Sequence, residues 1–283
     1  MSDERKILVV SHFERHDVGA AVELLQSHGI TVVRDLDPAS SSDDIELVLS
    51  LGGDGTFLRA AELARAADLP VLGINLGHVG FLAEWEADSL ETALHAVAER
   101  NYRVEERMTL DVTVFDETGA VTDTGWALNE CSLEKAQRRG VLDSILSVDG
   151  APVSSFGCDG VIVSTPTGST AYAFSAGGPI LWPSLDAILV VPNNAHALFA
   201  KPLVVSPQSH VAVDTRKEAH AVCDGFRVLP VPERGRVEVC YGQQKVRWVR
   251  MDDSTFTDRL VTKFRLPVQG WRRPVPWAGP HNK

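Results

Sequence analysis

Cysteine is scarce in this sequence and nowhere paired. Cys131, Cys158, Cys223 and Cys240 are scattered through 283 residues without a Cys-x-x-Cys pair or a histidine at zinc spacing. A disulfide framework and a thiolate metal cluster are therefore not indicated, and four buried thiols in a reducing compartment are expected. No segment approaches the roughly 18 uninterrupted apolar residues of a membrane-spanning helix. Met1 to Lys6 runs straight into Ile7-Leu8-Val9-Val10, without the apolar stretch and small-residue cleavage site of a signal peptide. The expected setting is the cytoplasm. Positive charge is in the minority: 27 Lys and Arg stand against 38 Asp and Glu, a formal net charge of -11. Such a field repels polyanions and argues against sequence-independent nucleic-acid binding, so any phosphate ligand needs a local positive pocket. Internal repeats and long low-complexity tracts are also missing.

What is present reads as a folded enzyme-sized chain. At 44% hydrophobic and 23% charged residues the composition is that of a globular protein, and the length predicts two compact units. From residue 6 to about 100, short apolar runs alternate with amphipathic stretches of helix length, the pattern of βα units and a parallel sheet. Ile7 to Val10, Ile30 to Val33, Ile45 to Leu51 and Val71 to Asn75 read as strands. Val18 to His28, closed by Gly29, and Phe57 to Ala67 read as helices, with Thr56 as the N-cap of the second. Residues 37–44 read as a mobile loop. After Arg103 the period changes to two, as in Leu110, Val112 and Val114, with turns at Glu117-Thr118-Gly119 and Asp149-Gly150. This half is expected to be β-rich to about Met251. Thr255 to Phe264 is a short candidate helix, and the proline-rich end beyond it is expected to be poorly ordered.

The most informative local pattern is Gly52-Gly53-Asp54-Gly55-Thr56, between a strand and a helix. A backbone free of side chains at a helix N-terminus offers amides and the positive end of the macrodipole to phosphate. It matches neither Gly-x-Gly-x-x-Gly nor the Walker pattern with its lysine, so phosphate charge must be offset elsewhere, for which Arg59 is a candidate. Asp54 beside phosphate oxygens is costly unless it holds a metal ion or accepts a hydroxyl proton, and both uses point to phosphoryl transfer. The pentapeptide alone reads equally as a tight βα turn.

Leu51 to Leu58 resembles the signature shared by NAD kinases and lipid kinases, with a close variant in sugar phosphofructokinases. Three further blocks resemble NAD kinases in particular: Leu72 to Leu82, Ala127-Leu128-Asn129-Glu130, and Gly157 to Tyr172 with its run Ser164-Thr165-Pro166-Thr167-Gly168-Ser169-Thr170-Ala171-Tyr172. The resemblance extends from about residue 45 to 270. It implies a Rossmann-like N-terminal α/β domain over residues 1–104 and a β-rich, dinucleotide-binding C-terminal domain over 105–252. A helix over 253–271 would return to the first domain, with a disordered tail over 272–283 and the site in the crevice between the domains.

The implied activity is phosphorylation of the 2′-hydroxyl of the adenosine ribose of NAD, giving NADP. ATP or polyphosphate would be the donor, and Mg2+ or Mn2+ would be held mainly by donor phosphates. Asp54 would take the hydroxyl proton, flanked by Gly53 and Gly55. Asn129 and Glu130, an amide beside a carboxylate, suit a ribose diol and a base edge; without the resemblance they read as a hairpin end. Asp159 lies between Gly157 and Gly160, where a ring or carboxamide can approach and donate to it. Thr167, Ser169 and Thr170 supply hydroxyls. The resemblance implies that Thr170, Ala171, Tyr172, Ala173 and Ser175 line the dinucleotide site. Tyr172 either stacks on a base or packs in the core with its hydroxyl satisfied. Lys135, Arg138 and Arg139 form a basic cluster that meets phosphates or is a solvated loop, with Arg139 taken as a site residue. His78 and His196 receive no role.

A lipid kinase shares the glycine motif but needs a membrane-facing apolar or basic surface, which is not evident. A non-catalytic dinucleotide sensor would carry the same binding residues. The resemblance also implies a homodimer or homotetramer, with small-molecule substrates and no nucleic-acid or membrane partner.

Overall fold

A computed structural model describes residues 5–11, 16–34, 44–75, 80–82, 85–86, 90–137, 139–197, 200–251 and 255–268. The expected loop at 37–43, His78, Arg138 and the tail at 272–283 lie outside the described residues. The chain divides into two compact units, residues 1–105 with 248–283, and residues 106–247.

The first unit is a βα structure. Its elements are β1 (Lys6–Ser11), α1 (His16–Ser27), β2 (Thr31–Val33), β3 (Ile45–Leu51), α2 (Asp54–Ala66), β4 (Val71–Asn75), β5 (Trp85–Glu86), α3 (Leu90–Ala98) and β6 (Arg103–Arg107). The sheet order is β2-β1-β3-β4, then the late strand Val246–Arg250 and β6, with β5 also on β4. The pairs β1/β2, β1/β3, β3/β4 and β4/β5 are parallel. Parallel neighbours need crossovers, which α1 and α2 supply. β3 and β4 are almost wholly buried, so they read as continuous apolar runs rather than alternating ones. Ile7, Leu47, Leu49, Leu72 and Ile74 form the core with Leu25 from α1 and Leu94 and Val97 from α3. Glu46 ties three segments together, accepting from Nε and Nη2 of Arg5, each at 2.8 Å, and from Nη2 and Nε of Arg100 at 2.8 and 3.3 Å. Arg5 also donates to Val97 O at 3.0 Å.

The second unit is built from β7 (Leu110–Phe115), β8 (Val121–Ala127), β9 (Glu130–Lys135), β10 (Leu142–Val148), β11 (Ala151–Cys158), β12 (Gly160–Ser164), α4 (Tyr172–Ser175), β13 (Ile188–Asn193), β14 (Leu203–Val205), β15 (Val211–Thr215), β16 (Ala219–Cys223), β17 (Arg227–Val231) and β18 (Arg236–Tyr241). Two sheets result, in the orders β11-β10-β15-β18-β7-β8 and β14-β13-β12-β9-β16-β17. Alternation on β7 buries Leu110, Val112 and Val114. These meet Leu133, Val161, Val163 and Val190 of the other sheet in one core, so the sheets pack face to face. The opposite face of β12 and β13 presents Ile162, Leu189 and Val191, which are covered by Ala173 of α4 and by Ala176 and Leu181.

The chain closes with β19 (Val246–Arg250) and α5 (Phe256–Phe264). Among the described residues no helix is long and apolar enough to cross a membrane. Two expectations need correction. Helix α2 begins at Asp54 with Gly53 as its N-cap, not at Thr56, because extended Gly53 (φ -84°, ψ -174°) already accepts the first helical bonds from Thr56 and Phe57. Cys240 is only half-buried; on β18 it follows the outward phase, opposite to buried Val237 and Val239.

Candidate functional site

In the first unit the candidate residues cluster at the C-terminal end of β3. The amide of Gly52 reaches Ile74 O at 3.0 Å, which ties the glycine turn to the end of β4. Helix α2 buries Phe57, Leu58, Ala60, Ala61 and Ala64. Phe57 packs on Trp248 with ring centroids 4.6 Å apart. The helix N-terminus is thereby a fixed object, with Asp54 as its first residue, where an acidic side chain and an anionic ligand are both favoured by the dipole. Asp54 Oδ2 accepts the amide of Phe81 and Oδ1 the amide of Leu82, each at 3.1 Å. This approach requires a glycine before them, since a Cβ on Gly80 would overlap Asp54 Oδ1. Each carboxylate oxygen retains a lone pair for a further donor. Arg59 is exposed on the next turn of α2.

The second unit places the other group around one buried carboxylate that sequence reasoning overlooked. Asp224 accepts the amides of Leu128 at 2.9 Å and Asn129 at 2.7 Å, and is paired with Arg227. Arg227 stacks over Trp126 at 4.2 Å and Phe226 at 4.5 Å. Burial pushes the Asp224 carboxyl upward, while the Arg227 guanidinium and the two amides work against that shift. From the other side, Thr165 Oγ1 donates to Leu128 O at 2.6 Å, and Thr165 N and Ser164 Oγ donate to Asn129 O at 2.9 and 3.1 Å. A Cβ on Gly168 would overlap the Asn129 carbonyl, so the turn after Thr167 lies directly on this segment.

Asn129 and Glu130 are thus clamped by their backbones, and their side chains are left with spare capacity. Both are buried, at 6% exposure, yet Asn129 Oδ1 and Glu130 Oε2 have no hydrogen-bond partner among the described residues. Native proteins seldom leave such acceptors unsatisfied, and these are the atoms a ligand hydroxyl or amine would satisfy. Burial, and then the neighbouring Asp224, push the Glu130 carboxyl up to about 8, although the Tyr172 amide opposes them.

The predicted dinucleotide segment divides by role. Ser169 is fully buried: its Oγ donates to Pro166 O at 2.7 Å and accepts from Leu181 N at 2.9 Å. Ala173 faces the apolar cluster beneath α4. Thr170 Oγ1 donates to Thr167 O at 3.3 Å. Tyr172 and Ser175 are exposed on α4. The Tyr172 ring is therefore not core packing; its hydroxyl accepts from Asn193 Nδ2 at 3.2 Å. Asp159 is held by Lys135 at 2.6 Å and Asn194 at 3.0 Å, and the Lys135 hydrogen bond in particular lowers its pKa. Lys135 is thus engaged by a carboxylate of its own chain. Arg139, with Lys135 and Lys217, lines a cavity of about 440 Å³. His196 is exposed, and its amide bonds Gly157 O at 2.9 Å.

Residues 15–102 match the ATP-NAD kinase N-terminal domain and residues 128–251 the ATP-NAD kinase C-terminal domain. The chain is 57% identical to the NAD kinase of Corynebacterium diphtheriae over 99% of this chain and 98% of that protein. This chain belongs to the NAD kinase family. Another family member, from Corynebacterium glutamicum, is 69% identical over 83% of this chain and 82% of its own length. Among solved structures, an NAD kinase from Archaeoglobus fulgidus in complex with ATP superposes with a TM-score of 0.76 at 29% identity, covering 92% of this chain and 98% of that one. A yeast NADH kinase complexed with NADH shares the fold, with a TM-score of 0.82 at 18% identity over 94% of this chain and 89% of that one. The NAD kinase fold, an N-terminal α/β domain with a β-rich C-terminal domain, accounts for both units, and the lipid-kinase alternative falls away.

Proposed function

We propose that this chain transfers the terminal phosphoryl group of ATP or polyphosphate to the 2′-hydroxyl of the adenosine ribose of NAD, giving NADP. The observation that carries the mechanism is the Asp54 carboxylate, held at a helix N-terminus by two backbone amides with lone pairs to spare. In this role Asp54 accepts the 2′-hydroxyl proton as that oxygen attacks the terminal phosphorus, and the leaving group departs with the donor's bridging oxygen. ATP as donor is supported by the complex of the Archaeoglobus fulgidus relative.

Asn129 Oδ1 and Glu130 Oε2 take the dinucleotide's hydroxyl and amine donors. A protonated Glu130, favoured by its burial, can itself donate to a ribose or base acceptor. Tyr172 and Ser175 offer an exposed ring and hydroxyl on α4, Asp159 a carboxylate, and Arg59 and Arg139 positive charge for phosphates. Mg2+ or Mn2+ would be held mainly by the donor's phosphates, and would supply charge neutralisation there. The reading extends to a cytoplasmic homodimer or homotetramer.

The test is NADP formation from NAD, Mg2+ and either donor, followed with an NADP-specific dehydrogenase. Asp54→Asn should lower kcat about 1,000-fold, within the range of a lost general base, while calorimetry shows NAD still bound. Near-normal turnover by that variant removes Asp54 from the mechanism. NAD binding without NADP from any donor would instead favour a dinucleotide sensor.

A further inference from the structure

Helix α5 has no buried residue, yet it is sharply defined at both ends. Thr255 Oγ1 accepts the amide of Asp258 at 3.2 Å while Asp258 Oδ2 accepts that of Thr255 at 2.9 Å, a reciprocal capping box. Left-handed Arg265 (φ 49°) closes the last turn onto Val261 and Thr262 carbonyls. Phe256 and Phe264, eight residues apart, belong to one apolar stripe. Both reach the same ring: Phe81 lies 6.4 Å from Phe256 and 5.5 Å from Phe264 between centroids, with the Lys263 ammonium 5.7 Å above it.

Phe81 is also the residue whose amide holds Asp54. The carboxylate takes its two described hydrogen bonds from Phe81 and Leu82, so its orientation depends on where that short stretch stands. Gly80 lets the stretch come close, and α5 supports the ring on its flank. We propose that α5 positions Asp54, with Phe256 and Phe264 seating Phe81 so that two consecutive amides aim at the carboxylate. Phe256 and Phe264 are positioning residues: they act through Phe81 and touch no reacting atom. This inference rests on the reading of Asp54 as the base.

The experiment compares the Phe256→Ala, Phe264→Ala double variant with its leucine counterpart in the full chain. Losing the seat should lower kcat on the order of 10- to 100-fold, the scale of a small misplacement at a catalytic group. No dinucleotide contact is changed, so the loss should fall on kcat while the NAD Kd from calorimetry stays near wild type. The leucine variant, which refills the apolar contact, should recover most of kcat. A merely structural role would lower the NAD-binding stoichiometry and the activity together and leave kcat per binding-competent site in place. A wild-type kcat per site in a folded alanine variant therefore overturns the inference. If the double variant does not fold, the single Phe256→Ala change carries the same criterion. Asp54→Asn keeps the two levels apart. If it is inactive while kcat per site in the alanine variant is unmoved, only the α5 proposal fails; if it is active, the reading beneath the proposal fails.

Discussion

Asp54 and Glu130 are both carboxylates proposed to meet substrate, and their surroundings differ in opposite ways. Asp54 begins a helix, is partly exposed, and receives two amides, an environment that suits an anion. Glu130 is buried, lacks a partner at Oε2 and neighbours Asp224, so its proton is retained to about pH 8. The first is given backbone donors and the second is left without one at Oε2. Surroundings of this kind prepare the same side-chain chemistry for different contacts. Asp224 stands between these cases: it is as buried as Glu130 but is given Arg227 and two amides.

The largest effect should come from breaking that intermediate case. Asp224→Ala removes the counter-charge from a largely buried Arg227 and two amide acceptors at once, and should cost about 4 kcal/mol in urea unfolding. Next, Gly80→Ala forces Asp54 off its amides. Because a side chain rather than backbone must yield, turnover should fall about 100-fold with little change in Tm. Equal losses of activity and stability would mean that the backbone at 80–82 moved instead.

Glu130→Gln sharpens the contrast through pH. The folded pKa, about 8, lies above the ordinary 4.5. The Glu130 contribution is therefore complete below about pH 4.5 and is lost as pH rises through 8. The stability of wild type relative to Glu130→Gln should fall by about 3 kcal/mol between pH 5 and 8, measured by denaturant titration. Glu46 should behave in the reverse sense and more weakly. Hydrogen bonding to Arg5, then Arg100, lowers its pKa to about 2. Its contribution is present above pH 4.5 and disappears as pH falls through 2. Glu46→Gln should cost about 1 kcal/mol at pH 6, after allowance for solvent screening, and almost nothing near pH 2.

Much of this was legible beforehand, and the reasons differ by element. The strands Ile45–Leu51 and Val71–Asn75 were read at their observed limits because buried parallel strands are unbroken apolar runs bounded by glycine or polar residues. The start of α2 differs from the expected one because a threonine directly before the amphipathic run from Phe57 looks like a cap. Gly53 took that role through backbone conformation, which leaves no side-chain signature. Asp224 escaped notice because Cys223-Asp224-Gly225 between two alternating runs reads as an ordinary hairpin turn. Nothing local marks an aspartate that folds back onto residues about 95 positions earlier.

The sequence by itself determined the alternation that builds a βα unit and a β sandwich, the glycine loop with its aspartate, and the blocks that identify an NAD kinase. These are properties of neighbouring residues, written in period and spacing. Only the tertiary structure decided which acceptors remain unsatisfied, which carboxyl keeps its proton, and that Phe81 joins α5 to Asp54. Burial and hydrogen-bond partnership depend on residues far apart in the chain, and desolvation converts that arrangement into different chemistry for identical side chains.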